Sequence, residues 1–312
     1  MLQAAMIAAG GGAVSALVAL LALTGYPGGA ILAYLAPLPL LMVGLGLGAA
    51  ALPIAAIVGI MLVAATAGIA AAGVYGGLHA LPSWVVVQVA LARKSIGPAG
   101  NVEWHPPGAV LCWLAVLAAV MVLVGAIGAW GNVESSVREI LENALTIAAP
   151  ALEAPDREQL VAQIAPVFLG GTGMMWVTMI AINGVLAQAL LVRRGWNVRP
   201  SPQWSALSLP DWISWALVAA ALVGIVGDGD LRYLGRNLVL VFLVPYFFVG
   251  LAVIHGLARK MPAPTFLLAS FYVILGFAFP GVGAVVAALG VIEEWVGVRR
   301  HWRVVPPGQG NE

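Results

Sequence analysis

Long apolar runs, separated by short polar segments, make up most of this chain. A membrane-spanning helix needs roughly 20 consecutive apolar residues. The runs are continuous rather than alternating at every second residue, which favours helices over the strands of a β-barrel. The pattern predicts spans at about 2–24, 29–48, 50–70, 72–92, 108–130, 166–192, 211–227 and 237–257, followed by a last apolar stretch at 264–297.

The number of spans depends on two stretches. The last one, 264–297, is too long for one upright helix and contains Pro280 near its middle, so we expect two short spans there. Pro82 interrupts the run 72–92, so three spans and a re-entrant piece before residue 93 are the competing count. The expected fold class is therefore an all-α, polytopic transmembrane helix bundle of about ten spans, with eight or nine as alternatives, forming a single domain over 1–312.

The largest polar segment, 131–162, carries six acidic and two basic residues. Its apolar residues recur at helical spacing, which predicts an amphipathic helix lying at the membrane interface. Pro155 suits the first turn of a second short helix. The apolar stripe consists of Val133, Val137, Ile140, Leu141, Ala144, Leu145 and Ala148.

Charged residues are scarce and unevenly placed. The first 92 residues contain no Asp, Glu, Lys or Arg, and charged residues make up 9% of the whole chain, against about 25% in soluble domains. A soluble fold is therefore excluded for this chain, and the lipid bilayer is its expected surroundings. The net charge of +1 gives no reason to expect a nucleic-acid partner.

The basic residues predict an orientation. Ten of the 14 lie in the segments 93–107, 192–208, 258–263 and 298–312, which alternate with acidic or balanced segments. By the positive-inside rule these four segments face the cytoplasm. We expect 93–107 to be a short loop and 298–312 a cytoplasmic tail, in a bacterial inner-membrane protein. Four spans before residue 93 place the N-terminus inside, and three place it outside.

The sequence offers little catalytic chemistry. No Asp, Glu, Lys or Arg lies near the centre of a predicted span, and the nucleophile and metalloprotease motifs that would indicate an enzyme are missing. His79 and His255 lie at different predicted depths without a neighbouring acid, so a metal site is not expected. We therefore expect no catalytic residue, no cofactor and no enzymatic activity.

A candidate cavity follows from the second predicted span. Pro37 and Pro39 break a helix and leave backbone carbonyls unpaired, which a membrane tolerates only beside protein or a cavity. Asn183 and Gln188 are the other polar groups proposed to face it. Interhelical hydrogen bonding is the alternative role for both amides.

Two further groups are candidate contact surfaces. Small residues at every fourth position of the first helix allow close helix approach, either inside the chain or against another membrane protein. The charged cluster near the C-terminus is either an interfacial salt-bridge network or a contact for a cytoplasmic partner. The first group is Ala4, Ala8, Gly12 and Ala16; the second is Glu293, Glu294, Arg299 and Arg300.

Two motifs carry a resemblance to a known family. The segment Pro37-Leu38-Pro39-Leu40, together with the C-terminal run from Gly290 through Glu293-Glu294 to Arg299-Arg300, resembles the YybS-like family of predicted bacterial membrane proteins, a domain of unknown function. That family is similar in fold to the substrate-binding subunits of energy-coupling-factor transporters, which dock a partner through small residues of their first helix. The resemblance implies the same use for the Ala4 to Ala16 stripe.

Two functions are compatible with these observations. The first is a small-solute-binding subunit of transport type, based on the proline-broken span, the small-residue stripe and the acidic segment 131–162. The second is a scaffold that organises an envelope or membrane-biogenesis complex and transports nothing. Ligand-dependent stabilisation would favour the first function, and a stable partner without a solute would favour the second.

Overall fold

The computed structural model describes residues 2–24, 28–96, 101–204, 207–297 and 299. These residues form thirteen α-helices and one two-stranded sheet, so the all-α prediction is confirmed apart from that small hairpin. Six helices are long and apolar enough to cross a membrane, and three shorter ones are equally apolar. The α-helices are α1 (Leu2–Leu20), α2 (Gly29–Ala33), α3 (Pro37–Leu47), α4 (Leu52–Tyr75), α5 (Leu81–Leu91), α6 (Pro107–Ile127), α7 (Val133–Ala148), α8 (Ala154–Ile164), α9 (Phe168–Arg194), α10 (Trp212–Val226), α11 (Gly229–Ala258), α12 (Pro264–Phe277) and α13 (Phe279–Val296).

Short helical segments join some of these helices. Three-residue 3₁₀ segments lie at Leu21–Leu23, Ala49–Ala51 and Ala165–Val167. A π-helical turn at Gly76–Ala80 connects α4 to α5, so residues 49–91 are helical almost without interruption. The predicted break between the third and fourth spans therefore has to occur inside α4.

The chain reverses at Gly68, within α4. Gly68 has φ 88° and ψ 170°, a conformation that is essentially restricted to glycine. The two sides of α4 run back along each other, since the Tyr75 ring lies against Gly59 and the side chain of Ile60 lies beside Gly76. With this reversal, the apolar stretch 49–91 forms two antiparallel arms, close to the predicted 50–70 and 72–92.

Two other breaks follow the proline pattern. The predicted span 29–48 consists of α2 and α3, separated by a turn that ends at Pro37. The last apolar stretch divides between α12 and α13 at Ala278, two residues before Pro280, as the length argument predicted. Proline is well tolerated in the first turn of a helix, because the missing N–H has no intrahelical acceptor there.

Helix α11 is the centre of the bundle. It packs against α6, α9, α10 and α13, while α1 packs on α3 and α4 at the other side of the molecule. Small residues allow the backbones to approach: an added Cβ at Gly290 of α13 would overlap the Tyr246 carbonyl of α11, and one at Gly12 of α1 would overlap the Ala55 carbonyl of α4. Inside a bilayer the hydrophobic effect does not bring helices together, and close backbone contact of this kind stabilises their association instead.

The polar segments collect at opposite ends of the bundle. At one end, Asp230 accepts hydrogen bonds from the backbone N–H groups of Gly131 and Val133 and so holds the start of α7. At the other end, Arg199 donates to the carbonyl oxygen of His105, and Arg299 donates to that of Leu207. The basic segments that were predicted to share one side of the membrane therefore meet at one end.

The structure departs from the sequence prediction in two polar segments. Residues 93–107 begin with an antiparallel hairpin of β1 (Arg93–Ile96) and β2 (Asn101–Trp104) rather than a plain loop. The polar stretch 228–236, between two predicted spans, belongs almost wholly to α11, with the Arg232 and Arg236 side chains exposed at its first two turns. The predicted tail 298–312 lies outside the described residues except for Arg299.

The polar segment 131–162 forms two helices. Val137 and Leu141 of α7 are buried against Val161 of α8 and Ala165, with Leu145 packed beside them, while Val133 is buried in the main core. The predicted stripe is therefore divided, since Ile140 remains exposed along with Ile147 two turns further on. This leaves an apolar edge on an otherwise polar helix, as expected for a helix that lies at the membrane interface.

Candidate functional site

A cavity of about 430 Å³ lies near the basic end of the bundle, between α5, α6, α9 and α11. Its volume is within the range of about 300–1,000 Å³ that is typical of small-molecule sites. The segment between α9 and α10 closes it on one side, and α12 reaches its edge with Tyr272. The lining residues are Leu45, Val86, Ala90, Pro107, Val110, Leu111, Ile180, Ala181, Gly184, Val185, Gln188, Arg199, Pro202, Trp204, Leu207, Phe248, Leu251, Ala252, His255, Arg259 and Tyr272.

Arg199 is the most unusual residue of the cavity. It lies in the segment after α9, and only 7% of its surface is exposed. Its Nη1 donates to the carbonyl oxygens of Ala90 at 2.7 Å and His105 at 3.3 Å, while its Nε is buried without a hydrogen-bond partner. The guanidinium therefore ties the end of α5 to the segment after β2 and retains an unused donor.

No carboxylate compensates this buried charge within the described residues. Arg199 forms no ion pair there, and the cavity lining contains no Asp or Glu. The Trp104 ring, 5.8 Å from the guanidinium carbon, gives a cation–π contact. Burial lowers the pKa of the Arg199 guanidinium, but a guanidinium keeps its charge at neutral pH. The cavity wall is therefore positively charged.

A second group of polar side chains lies on the α11 side of the cavity. His255 Nδ1 lies 2.8 Å from the Leu251 carbonyl oxygen, and its Nε2 lies 3.4 Å from the Tyr272 hydroxyl of α12. Arg259, one turn after His255, also lines the cavity and is exposed at its rim. Apart from these groups and Gln188 the walls are mostly apolar, so the cavity combines an apolar body with a polar, cationic end.

The four predicted cavity residues do not come together. Gln188 lines the cavity, and its Nε2 donates to the Arg199 carbonyl oxygen at 2.9 Å. Asn183 lies elsewhere, with its Nδ2 donating to the Tyr34 carbonyl at 2.8 Å. Pro37 and Pro39 open α3 and do not line the cavity.

The proline break is closed by side chains instead of a cavity. The Ser15 hydroxyl donates to the Ala36 carbonyl at 2.6 Å, and the Tyr75 hydroxyl donates to Ser15 at 2.7 Å. Asn183 satisfies the neighbouring carbonyl of Tyr34. Side-chain hydrogen bonds therefore reach the Tyr34 and Ala36 carbonyls at this break, and the Ala33 and Leu35 carbonyls accept bonds from backbone N–H groups of the turn.

The small-residue stripe of α1 is used mainly inside the chain. Ala8, Gly12 and Ala16 are buried, with Gly12 directly against Ala55 of α4, and only Ala4 is exposed. The surface of α1 that remains open carries large apolar side chains such as Leu2 and Leu17. Internal packing, the first of the two interpretations, is therefore what this stripe does in the structure.

The charged C-terminal cluster also makes internal contacts. Arg299 Nε donates to Glu293 Oε1 at 2.6 Å, and its Nη2 donates to the Leu207 carbonyl at 2.7 Å. Glu294 Oε1 accepts a hydrogen bond from the Leu209 N–H at 3.0 Å. These contacts fasten the end of α13 to the segment that closes the cavity. Arg300 lies outside the described residues.

No group of three or more His, Cys, Asp or Glu residues that could hold a metal ion occurs in the described part of the chain. Cys112 is buried within α6. The cavity offers a concave, mostly apolar surface and a fixed positive charge, the combination expected of a site that binds a small molecule.

Sequence reasoning overlooked the residue that gives the cavity its charge. Arg199 counted only as one of the basic residues that mark the cytoplasmic side. Its partners lie 109 and 94 residues away along the chain, so no local spacing links them. Tyr272 and Arg259 were missed for the same reason, because they reach the cavity only through the packing of α11 and α12.

Comparison with known proteins gives a family and no function. No curated protein and no solved structure matches the chain. The family model described as "Predicted membrane protein (DUF2232)" matches residues 13–293, which include all the spans after the start of α1 and the whole cavity lining. The match agrees with the YybS-like resemblance of the sequence motifs. The chain therefore belongs to the DUF2232 family of predicted membrane proteins.

Proposed function

We propose that this protein is a small-solute-binding membrane protein of transport type, without enzymatic activity, and that the cavity beside Arg199 is its binding site. The observation that supports this most directly is the cavity itself. It is large enough for a metabolite, it is bounded by four helices, and a buried cation without a carboxylate lies in its wall. A bundle that served only as a scaffold would gain nothing from such an uncompensated charge.

The proposal also places the protein in the bacterial inner membrane with its C-terminus in the cytoplasm. The support is the positive-inside rule together with the meeting of the basic segments at one end of the bundle. The cavity lies near this end, so the site would face the cytoplasm or the inner half of the bilayer. Labelling of an Arg193→Cys variant with impermeant thiol reagents in intact cells tests this orientation, because the native Cys112 is buried.

A variant that fills the cavity provides the functional test. Gly184 lines the cavity, and its nearest neighbour for an added Cβ is a Val86 methyl group at 4.0 Å, so Gly184→Leu extends into the open volume. Gly171→Leu is the matched control, because it changes the same helix at a position with nothing within 4 Å. Both proteins are screened by thermal unfolding against a panel of vitamins, organic acids and other metabolites.

The expected result is a compound that raises the unfolding temperature of the wild type and of Gly171→Leu in a concentration-dependent way, but not that of Gly184→Leu. If no compound stabilises the wild type, or if Gly184→Leu responds like the control, the cavity is not a binding site. Recovery of a stable protein partner from the same membranes, with no responding compound, would favour the scaffold function instead.

A further inference from the structure

We infer that the ligand of the cavity is an amphipathic anion, with a carboxylate or phosphate head and an apolar body. This inference rests on the proposed function, since it names the class of molecule that the same cavity binds. It depends on three observations: the buried and uncompensated guanidinium of Arg199, a second cation at the rim, and the apolar character of the remaining walls.

The head group is assigned from the donors at the basic end of the cavity. Arg199 has a buried Nε without a hydrogen-bond partner, although a buried donor of this kind normally has one. Leaving a charged donor unsatisfied is costly, and an arginine fork is well suited to the oxygen pairs of carboxylates and phosphates. An anion at this end of the cavity compensates the charge that no carboxylate of the described residues balances.

Neighbouring groups strengthen this assignment. Arg259 supplies a second guanidinium at the rim, and the Tyr272 hydroxyl and the His255 ring supply further polar contacts at the same end. The described residues that line the cavity include two arginines and no acid, so a cationic head would be repelled. A neutral head would leave the buried charge uncompensated.

The body of the ligand is assigned from the other walls. Ile180, Val185 and Leu251 belong to helices that cross the membrane, and they face the cavity together with Phe248 and Val110. Such a surface favours an alkyl or ring system over a sugar or an amino acid, because polar groups there would lack partners. The head and body together describe a short-chain amphipath or the anionic end of a phospholipid.

The test compares probes that share one chain and differ in the head. Octyl phosphate and octanoate are the anionic probes, octanol is the neutral one and octyltrimethylammonium is the cationic one. Each is titrated by thermal unfolding into the full-length protein in phosphatidylcholine nanodiscs. We expect saturable stabilisation by the two anions and none by the other two. Equal stabilisation by octanol would overturn the anionic head while leaving the solute-binding function intact.

Arginine variants connect the effect to the site. Arg259→Gln is expected to weaken octyl phosphate binding by roughly tenfold, since a hydrogen bond to a charged group is worth about that factor. Arg193→Gln is the control, because Arg193 is an exposed arginine at the same end that does not line the cavity. Equal weakening by both variants would reduce the effect to surface charge and overturn the inference.

Arg199→Gln is expected to abolish anion binding. This variant also removes the bonds from Nη1 to Ala90 and His105, so it can prevent folding. In that case the comparison of Arg259→Gln with Arg193→Gln tests the inference. Nanodiscs containing phosphatidylglycerol identify the source of the head group. If phosphatidylglycerol weakens the binding of octyl phosphate, the natural ligand is a phospholipid. If octyl phosphate binds equally well in both kinds of nanodisc, the ligand is a free solute.

The failure of the inference differs from the failure of the proposed function. If the anions do not bind but a neutral metabolite stabilises the wild type and not Gly184→Leu, the cavity binds solutes and the anionic head is wrong. If Gly184→Leu does not reduce the stabilisation by the anions or by any member of the metabolite panel, both the inference and the proposed function fail.

Discussion

Ser15 shows how a single hydroxyl can complete a broken helix inside a membrane protein. It donates to the carbonyl of Ala36, the residue before Pro37, and it accepts a hydrogen bond from the Tyr75 hydroxyl of α4. Ser15 is fully buried, so water does not replace either bond. The polar groups along the second apolar segment are therefore tied to α1 and α4 by one chain of two hydrogen bonds.

Removing the Ser15 hydroxyl should destabilise the protein. Ser15→Ala leaves the Ala36 carbonyl and the Tyr75 hydroxyl without their partner, and the expected loss is about 1–3 kcal/mol. Thr66→Ala is the control, because the Thr66 hydroxyl bonds only within its own helix. Thermal unfolding in detergent measures both variants. A combined Ser15→Ala, Tyr75→Phe protein that loses the full sum of the single effects would argue against the hydrogen-bond chain.

Asn237 is a second residue on which local structure depends. It is fully buried in α11, where its Oδ1 accepts from Gly170 N–H and its Nδ2 donates to the carbonyls of Pro166 and Tyr233. Asn237→Leu should lower the free energy of unfolding by about 1–3 kcal/mol, since it leaves the start of α9 with unpaired groups. Asn143→Leu, at an exposed position of α7, should change it much less. Chemical unfolding in mild detergent separates the two, and equal losses would contradict this role.

The helix pair α4 and α5 illustrates what the sequence can reveal about an element and what it cannot. Length alone predicted two spans within residues 50–92, and the structure reverses at Gly68, close to the predicted boundary. No polar residue or proline marks that position, because the apolar run continues through it. The reversal depends on one backbone conformation, and a hydrophobic pattern does not report it.

A pair of glycine variants tests the reversal. At both Gly68 and Gly73 an added Cβ has nothing within 4 Å, and the positions differ in that only Gly68 has a positive φ. Gly68→Ala should therefore destabilise by about 1–3 kcal/mol through backbone strain. Gly73→Ala should be neutral or stabilising by up to about 1 kcal/mol, because alanine favours the helix. Equal unfolding temperatures for the two variants would show that the chain does not turn at Gly68.

The contact between α11 and α13 depends on the absence of side chains. An added Cβ at Gly290 would overlap the Tyr246 carbonyl, whereas one at Gly276 of α12 would meet nothing within 4 Å. Gly290→Ala should thus lower the free energy of unfolding by about 1–3 kcal/mol, in the range of overpacked cores. Thermal unfolding compares it with Gly276→Ala, and no difference between the two would contradict the close packing.

At the scale of the whole molecule, membrane class, the approximate positions of most apolar helices and the grouping of basic segments could be predicted. These properties follow from hydropathy and charge, which are local quantities summed along the chain. The binding cavity could not be predicted in this way, since Arg199, His255 and Tyr272 come from separate segments and meet only after packing. Pro37 and Pro39 indicated a helix break, but the side chains that bond to its carbonyls, Ser15 and Asn183, also lie far away in the sequence.

The central claim is that an anionic solute occupies the cavity beside Arg199. Photo-crosslinking with a diazirine-bearing octyl phosphate, followed by peptide mass spectrometry, tests it most directly. We expect the label on cavity residues such as Val185 and Leu251. Excess octanoate should displace this label, and it should be lost in Gly184→Leu but not in Gly171→Leu. Label confined to lipid-facing positions such as Ile69 and Phe277, which are 87% and 91% exposed, would contradict it.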